Sequence, residues 1–325
     1  MYFIKQFQPV FLSYLQEHKL DKPPHNLYRP ADYILQLGGK RLRPILVLAA
    51  CDLFNKNYEK ALPAALSIEI FHNFTLVHDD IMDEAELRRG APTVHKKYDT
   101  NTAILSGDLM LIEAYKQLST LKAFSNLSQI YDIFNDFAIK VCEGQQYDMD
   151  FETQEQVSID EYLKMIELKT AVLIAGALKI GAIIGDAEAS NVYHLGEFGR
   201  AIGVAFQIQD DLLDSFGDPQ KFGKKVGGDI LQSKKTYLYL KALEIANNAQ
   251  RQQLQNLYFE DSLPAEEKID RVKKIFQDLA IPTLTIAKRD EFYRRAITHL
   301  DKIQIEEDRK KHFVEFADSL VDREV

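Results

Sequence analysis

Cysteine is scarce in this 325-residue chain, with only Cys51 and Cys142. Neither belongs to a zinc-type pair, and both lie in apolar, helix-like stretches, which predicts buried, reduced thiols. Glycine and proline number 15 and 10 and cluster between apolar segments. Alternation with period two is rare, and no Asn-Gly or Asp-Gly pair joins two such runs, so a β-sheet protein is excluded. No apolar run reaches the roughly 18 residues of a membrane span. The longest candidate, AVLIAGALKIGAIIG, is broken by Lys179 and three glycines. The start, MYFIKQFQPVFLSYLQEH, is amphipathic but has no basic beginning, long apolar middle or cleavage site, so it does not read as a secretion signal. A cytoplasmic protein is expected. Positive charge is also in deficit: 40 basic against 49 acidic residues give a net charge of -9. That balance argues against a general nucleic-acid binder, which needs a positive surface. It leaves room for a local basic pocket around a small anion.

Hydrophobic residues make up 46% of the chain, enough for a sizeable core. They recur at three- and four-residue spacing almost throughout, which predicts an all-α fold. Helices are expected over 44–54, 61–83, 101–121, 130–152, 161–185, 191–214, 235–246 and the tail from about residue 282. Several are apolar nearly all round and belong at the centre of a bundle. No composition shift marks a boundary, so a single domain over residues 1–325 is expected.

Two acidic clusters stand out. DDIMD gives Asp79, Asp80 and Asp83, and DDLLD gives Asp210, Asp211 and Asp214; each closes a long apolar helix. Residues four apart on a helix lie about 40° from each other, so Asp79 and Asp83 share a face, as do Asp210 and Asp214. Like charges one turn apart repel, and an apolar setting raises the cost. A cation offsets both. Carboxylates giving one or two oxygens each, with water and phosphate filling the other positions, describe magnesium.

Basic residues follow each cluster and also precede the first. LGGKRLRP places Lys40, Arg41 and Arg43 after Gly38 and Gly39 and before Pro44, on a turn that leads into a helix N-terminus, a setting that favours anions. Arg88 and Arg89 come just after the first cluster. Lys224, Lys225, Lys234 and Lys235 come after the second, in a glycine-rich stretch that is a candidate lid. Arginine suits bidentate grip on phosphate oxygens. His72 lies two turns before Asp79 on roughly the same face. Lys169, Thr170 and Gln207 are polar residues inside apolar helices, and Gln207 is one turn before Asp211. The simplest ligand set is two diphosphate-like anions, one bridged to the acids by magnesium and one held directly by basic groups.

From Leu35 to Tyr237 these motifs appear in order: GGKRLRP, HDDIMDEAELRRG, KTA, FQIQDDLLD, GKKVGGDI and KKTY. The set resembles the trans-isoprenyl diphosphate synthases of the polyprenyl synthetase family. The resemblance implies an isoprenoid-synthase-type helical bundle around a deep central cavity, and a homodimer. It implies that Asp79, Asp83 and Asp210 bind magnesium, with Asp80, Asp211 and Asp214 in support and about three ions in the substrate complex. Gly39, Lys40, Arg43, His72 and Arg89 would hold isopentenyl diphosphate. Arg88, Lys169, Thr170, Gln207, Lys224 and Lys234 would hold the allylic diphosphate (dimethylallyl, geranyl or farnesyl). Ionisation, condensation and proton loss would then extend the chain, with Asp79, Asp83, Asp210, Lys169 and Lys224 carrying the chemistry. No protein nucleophile is needed, and no Ser/His/Asp or Cys/His constellation is recognisable.

Phe71, Phe74 and Thr75 precede the first cluster and are candidates for setting product length. Phe74, five residues before Asp79, would act as a floor, and Phe74 followed by Thr75 resembles the arrangement in geranylgeranyl-type members of the family, which implies a C20 product ahead of C15. A longer-chain synthase, a class I terpene cyclase and a non-catalytic regulatory subunit are the alternatives. The second DDxxD and the isopentenyl site argue against a cyclase. The presence of every motif argues against a regulatory subunit.

Overall fold

The computed structural model of the chain describes residues 2–122, 124–218, 226–259 and 263–321. The all-α expectation holds: helices dominate, and the sheet among the described residues is one two-stranded hairpin. No helix among these residues is long and apolar enough to cross a membrane. The chain divides into two compact units.

The first unit comprises residues 1–136, 176–196 and 303–312. It contains α1 (Tyr2–Glu17), α2 (His25–Gln36), α3 (Leu42–Phe54), α4 (Leu62–Met82), α5 (Val94–Lys97) and α6 (Thr100–Ser119). Helix α4 is its core. Pro63 lies in its first turn, where a missing N–H costs nothing. Every residue from Ala64 to Phe71 is buried, as expected for a helix apolar on all sides. Its end is equally defined. Glu84 takes a left-handed backbone with φ 50, and its N–H donates to the Ile81 carbonyl while that of Ala85 donates to the Asp80 carbonyl. This paired closure stops the helix directly after the first acidic cluster.

A short hairpin follows, β1 (Leu87–Arg88) paired with β2 (Ala91–Pro92). Its two-residue turn, Arg89–Gly90, has positive φ at both positions, 54 and 76. That is the requirement of the tightest hairpin turn. An Arg-Gly turn carries a weaker signal than Asn-Gly, which is why the sequence pattern did not reveal it.

Glu69, buried inside α4, fixes the basic turn before α3. Arg41 is also buried, with a left-handed backbone at φ 51. Its guanidinium donates to the Glu69 carboxylate and, at 2.5 Å each, to the carbonyls of Leu35 and Leu37. Asn73 donates to the carbonyl and carboxylate oxygens of Glu69, both at 2.8 Å. Both Nη atoms of Arg41 and the Oε1 of Glu69 are thus engaged inside the protein.

The second unit comprises residues 137–175, 197–302 and 313–325. Helices α7 (Leu127–Thr153), α9 (Val172–Ile184), α10 (Ala189–Phe216) and α16 (Glu307–Val321) contribute residues to both units. Wholly within the second are α8 (Ile159–Ile166), α11 (Gly228–Leu231), α12 (Tyr237–Ile245), α13 (Asn248–Tyr258), α14 (Ala265–Asp278) and α15 (Ile281–Asp301). Its core gathers Tyr162, Ile208, Leu212, Leu238, Tyr258 and Phe276. The helix expected over 161–185 is not uniform, because Glu167–Ala171 forms a π-helical turn between α8 and α9. Two helix-interior glycines, Gly144 and Gly203, pack against that turn. A Cβ on Gly144 would stand 2.3 Å from the Lys169 nitrogen, and one on Gly203 would stand 2.7 Å from the Ala171 Cα. Both cysteines are free, as expected, and Cys51 is buried, but the expected burial fails for Cys142, which is exposed. Its neighbour Val141 faces the core instead, and the next helical position points about 100° away.

Glu69→Ala leaves the Arg41 guanidinium buried without its counter-charge. Chemical denaturation of the variant is expected to show a loss of about 3–5 kcal/mol. Wild-type stability would contradict the anchoring role of the pair.

Candidate active site

In the first unit, the acids stand at the C-terminal end of α4. Asp83 occupies the cap position and Asp79 the last turn. Helix carbonyls there already present negative charge, so carboxylates are ill placed unless a cation joins them. Asp83 is exposed, and the Asp79 side chain retains 18% of its exposure, so both can be reached from solvent. Asp80 turns inward and is buried. Arg88, on the hairpin, clamps it with Nε donating at 2.7 and 2.9 Å and Nη2 at 2.6 Å, and lies 3.7 Å from Asp79. Burial pushes the Asp80 carboxyl above its usual value, against the pull of Arg88.

Beside these acids the same unit gathers a cationic cradle. Arg43 Nη1 donates to His72 Nε2 at 3.1 Å. Its Nε is buried and has no hydrogen-bond partner among the described residues. A buried donor left unpaired can take up an anion or a water. Burial lowers the Arg43 guanidinium to about 10, with Glu69 pulling it up and Arg89 down. Burial, aided by Arg43, Arg89, Arg88 and Arg41, holds His72 well below its usual value. The ring is therefore neutral at pH 7, and its Nε2 accepts the Arg43 hydrogen bond. Arg89, from the left-handed hairpin turn, donates to the Leu37 carbonyl at 3.2 Å, and its Cζ lies 3.4 Å from where a Gly39 Cβ would stand. Lys40 is exposed next to it. Gly39, Lys40, Arg43, His72 and Arg89 thus belong to one neighbourhood of the first unit. Phe71 is buried, and Phe74 and Thr75 are half-buried on the same helix. The Thr75 hydroxyl donates to the His72 carbonyl at 2.8 Å.

In the second unit, Lys169 and Thr170 sit on the π-helical turn, a distortion that often marks functional positions. Lys169 pairs with Asp148 at 2.6 Å. The Thr170 hydroxyl lies 3.4 Å from Gln207 Oε1, and Gln207 Nε2 donates to Asp211 at 3.1 Å. Asp211 is buried and also accepts from the Tyr162 hydroxyl. Burial, then the charge of Asp229, pushes it well above the usual carboxylate range. Asp210 is half-buried at the end of α10. Asp214, half-buried one turn on, accepts from the Asp229 N–H at 2.9 Å, and its carbonyl from the Gly227 N–H at 2.6 Å. That links the helix end to the GGDI segment. Lys234 follows that segment, its carbonyl accepting from Tyr258 at 2.7 Å. Lys235 instead donates to the Phe151 carbonyl at 2.6 Å, at the end of α7, where a cation suits the dipole. Lys224 and Lys225, in the candidate lid, lie outside the described residues.

The donor chemistry suits magnesium: hard carboxylate oxygens, solvent-accessible in the first cluster, at helix ends of negative potential. Three participants escaped the sequence patterns. Glu69 and Tyr162 read as ordinary interior residues. Asp148 is one acid among several on α7. The available signal was Gly144, a glycine inside a long helix, which marks the close approach of the Lys169 turn.

Comparison with known proteins gives one answer. The sequence pattern of the family described as polyprenyl synthetase matches residues 24–279. The geranylgeranyl pyrophosphate synthase of Geoglobus acetivorans is 38% identical over 319 residues, 95% of each chain. The geranylgeranyl diphosphate synthase of Methanosarcina mazei is 42% identical over 222 residues, 68% of each. A crystal structure of a geranylgeranyl pyrophosphate synthase superposes with a TM-score of 0.93 at 42% identity, covering 99% of both chains. The chain belongs to the polyprenyl synthetase family and is a prenyl-transferring enzyme with that family's helical fold.

Proposed function

We propose that this chain condenses isopentenyl diphosphate head-to-tail with an allylic diphosphate to give a short prenyl diphosphate, geranylgeranyl (C20) ahead of farnesyl (C15). The observation that carries the proposal is the cradle of the first unit. Arg43, with a buried unpaired Nε–H, neutral His72 and Arg89 lie together just before and after the acids that end α4. That juxtaposition provides for a diphosphate held by nitrogen donors beside one held through a metal.

Arg43, Arg89, Lys40 and His72 bind and orient the diphosphate of isopentenyl diphosphate. Kept neutral, His72 adds no further charge to a cluster that already holds several arginines. The allylic diphosphate is held by Arg88, Lys169, Thr170, Gln207, Lys224 and Lys234. Magnesium, used by this family, supplies Lewis-acid pull on that leaving group when bound, and Asp79, Asp83 and Asp210 are the residues that would hold it. Asp80 keeps Arg88 aimed at the diphosphate. Lys169 and Lys234 stabilise the negative charge that develops on the departing oxygen. Apolar walls exclude water, which would otherwise capture the allylic cation. The isopentenyl double bond attacks that cation, and the proton is lost to the released diphosphate. The working form is a homodimer of single-domain, cytoplasmic chains with about three magnesium ions per loaded site.

Incubation of purified protein with isopentenyl diphosphate and geranyl or farnesyl diphosphate, followed by chromatography of the dephosphorylated products, tests the proposal. C20 alcohol is expected in the presence of magnesium, with turnover abolished by EDTA and reduced by on the order of a thousandfold in Asp79→Ala. Persistent turnover under both conditions would remove the metal from the scheme. Phe74→Ala removes the bulk that would end the growing chain. Its products should be longer by at least one five-carbon unit, and an unchanged distribution would place the floor elsewhere.

A further inference from the structure

His78 precedes the first acidic cluster and has no part in the chemistry above, yet its position is closely defined. Phe71, Phe74 and His78 recur at three- and four-residue spacing and form one stripe along α4. The Phe71 and Phe74 rings lie 5.6 Å apart, and Phe74 meets His78 edge-to-face at 4.9 Å and 70°. From Phe71 the aromatic contacts continue to Phe134 at 5.3 Å and on to Tyr115 at 4.8 Å. Edge-to-face packing of this kind sets ring orientation as well as burying area.

The imidazole is anchored at its far end. Nε2 lies 3.2 Å from the Ile104 carbonyl oxygen on α6, with Asp108 Oδ1 at 3.9 Å. A carbonyl only accepts, so Nε2 carries the proton. Room for the ring exists because residue 107 is glycine: a Cβ there would stand 2.3 Å from Nε2. Gly107 and the Ile104 carbonyl therefore form a socket, and the ring seated in it limits how Phe74 can turn.

We propose that His78, seated on Gly107 and tied to the Ile104 carbonyl, is the positioning residue that holds the Phe74 ring as the end wall and so sets product length. The inference rests on the reading of Phe74 as that wall. Without His78 the Phe74 ring gains side-chain freedom, and a fraction of turnovers passes the wall before product leaves.

The test compares product lengths and the rate of the first condensation in wild type, Phe74→Ala, His78→Ala, Gly107→Ala and the Phe74→Ala/His78→Ala double variant. Circular dichroism establishes which variants fold. His78→Ala is expected to raise the share of longer products roughly threefold or more while the first condensation stays within about twofold of wild type. Gly107→Ala, which displaces the imidazole without touching Phe74, is expected to act in the same direction and serves alone if His78→Ala does not fold. The double variant is expected to match Phe74→Ala. Wild-type product lengths in the folded His78 and Gly107 variants, with longer products in Phe74→Ala, would overturn the role of His78 and leave the wall in place. Unchanged products in Phe74→Ala would remove the wall and this inference together. Further lengthening in the double variant would show His78 acting independently of Phe74, which also overturns the inference.

Discussion

Carboxylates gathered at the C-terminal end of a helix are the constraint around which this protein is arranged. Asp79 and Asp83 repel each other and also meet the negative end of the α4 dipole. A structure optimised for stability alone would place lysine or arginine there. Around this site the molecule instead holds its cations close by, on a hairpin and a turn, where an incoming anion can use them. Asp210 and Asp214 repeat the arrangement near the end of α10. In both places the proposed divalent cation and diphosphate, arriving together, would turn the unfavourable charge into a favourable one.

Around that constraint, the fold separates charges that must be neutralised from charges that must stay available. Arg41 is neutralised: Glu69 and two carbonyls occupy its guanidinium, and it serves as a fastening for the turn that carries Lys40 and Arg43. Arg43 keeps a buried donor unpaired. Asp80 and Asp211 are both turned inward, one to Arg88 and the other to Tyr162 and Gln207. The middle acid of each cluster thus aims its neighbours. Left-handed backbone at non-glycine residues occurs in the same region, as it does elsewhere at Asp186, Ser233 and Ala280. Arg41, Glu84 and Arg89 all carry left-handed backbone without being glycine, and all three flank the acids or the cradle.

Much of the fold was legible in the sequence, and so were the residues from which the candidate site is built. Helical periodicity over long apolar segments is a strong signal, and α4 and α10 fall where it places them. Four-residue spacing on a helix puts Asp79 with Asp83 and Asp210 with Asp214 on a shared face, while the residues of the cradle were named by the resemblance to a known family. What escaped depends on tertiary context. The Arg89–Gly90 turn needs positive φ at an arginine, which local preference disfavours. The π-turn at Lys169 shows itself only through the glycines packed on it. Glu69 is invisible as an anchor until Arg41 is seen to fold back onto it. Cys142 was misassigned because an apolar stretch does not say which face of the helix points inward.

The central claim is that a divalent cation and a diphosphate bind as one unit on the carboxylates that end α4. Calorimetric titration of inorganic diphosphate into the purified protein, with magnesium and again with EDTA, tests it directly. Affinity is predicted to be at least about tenfold higher with magnesium, a gain of about 1.4 kcal/mol, and the gain is predicted to vanish in an Asp79→Asn/Asp83→Asn variant. Equal affinity in EDTA, or a full magnesium gain in that variant, would contradict the account.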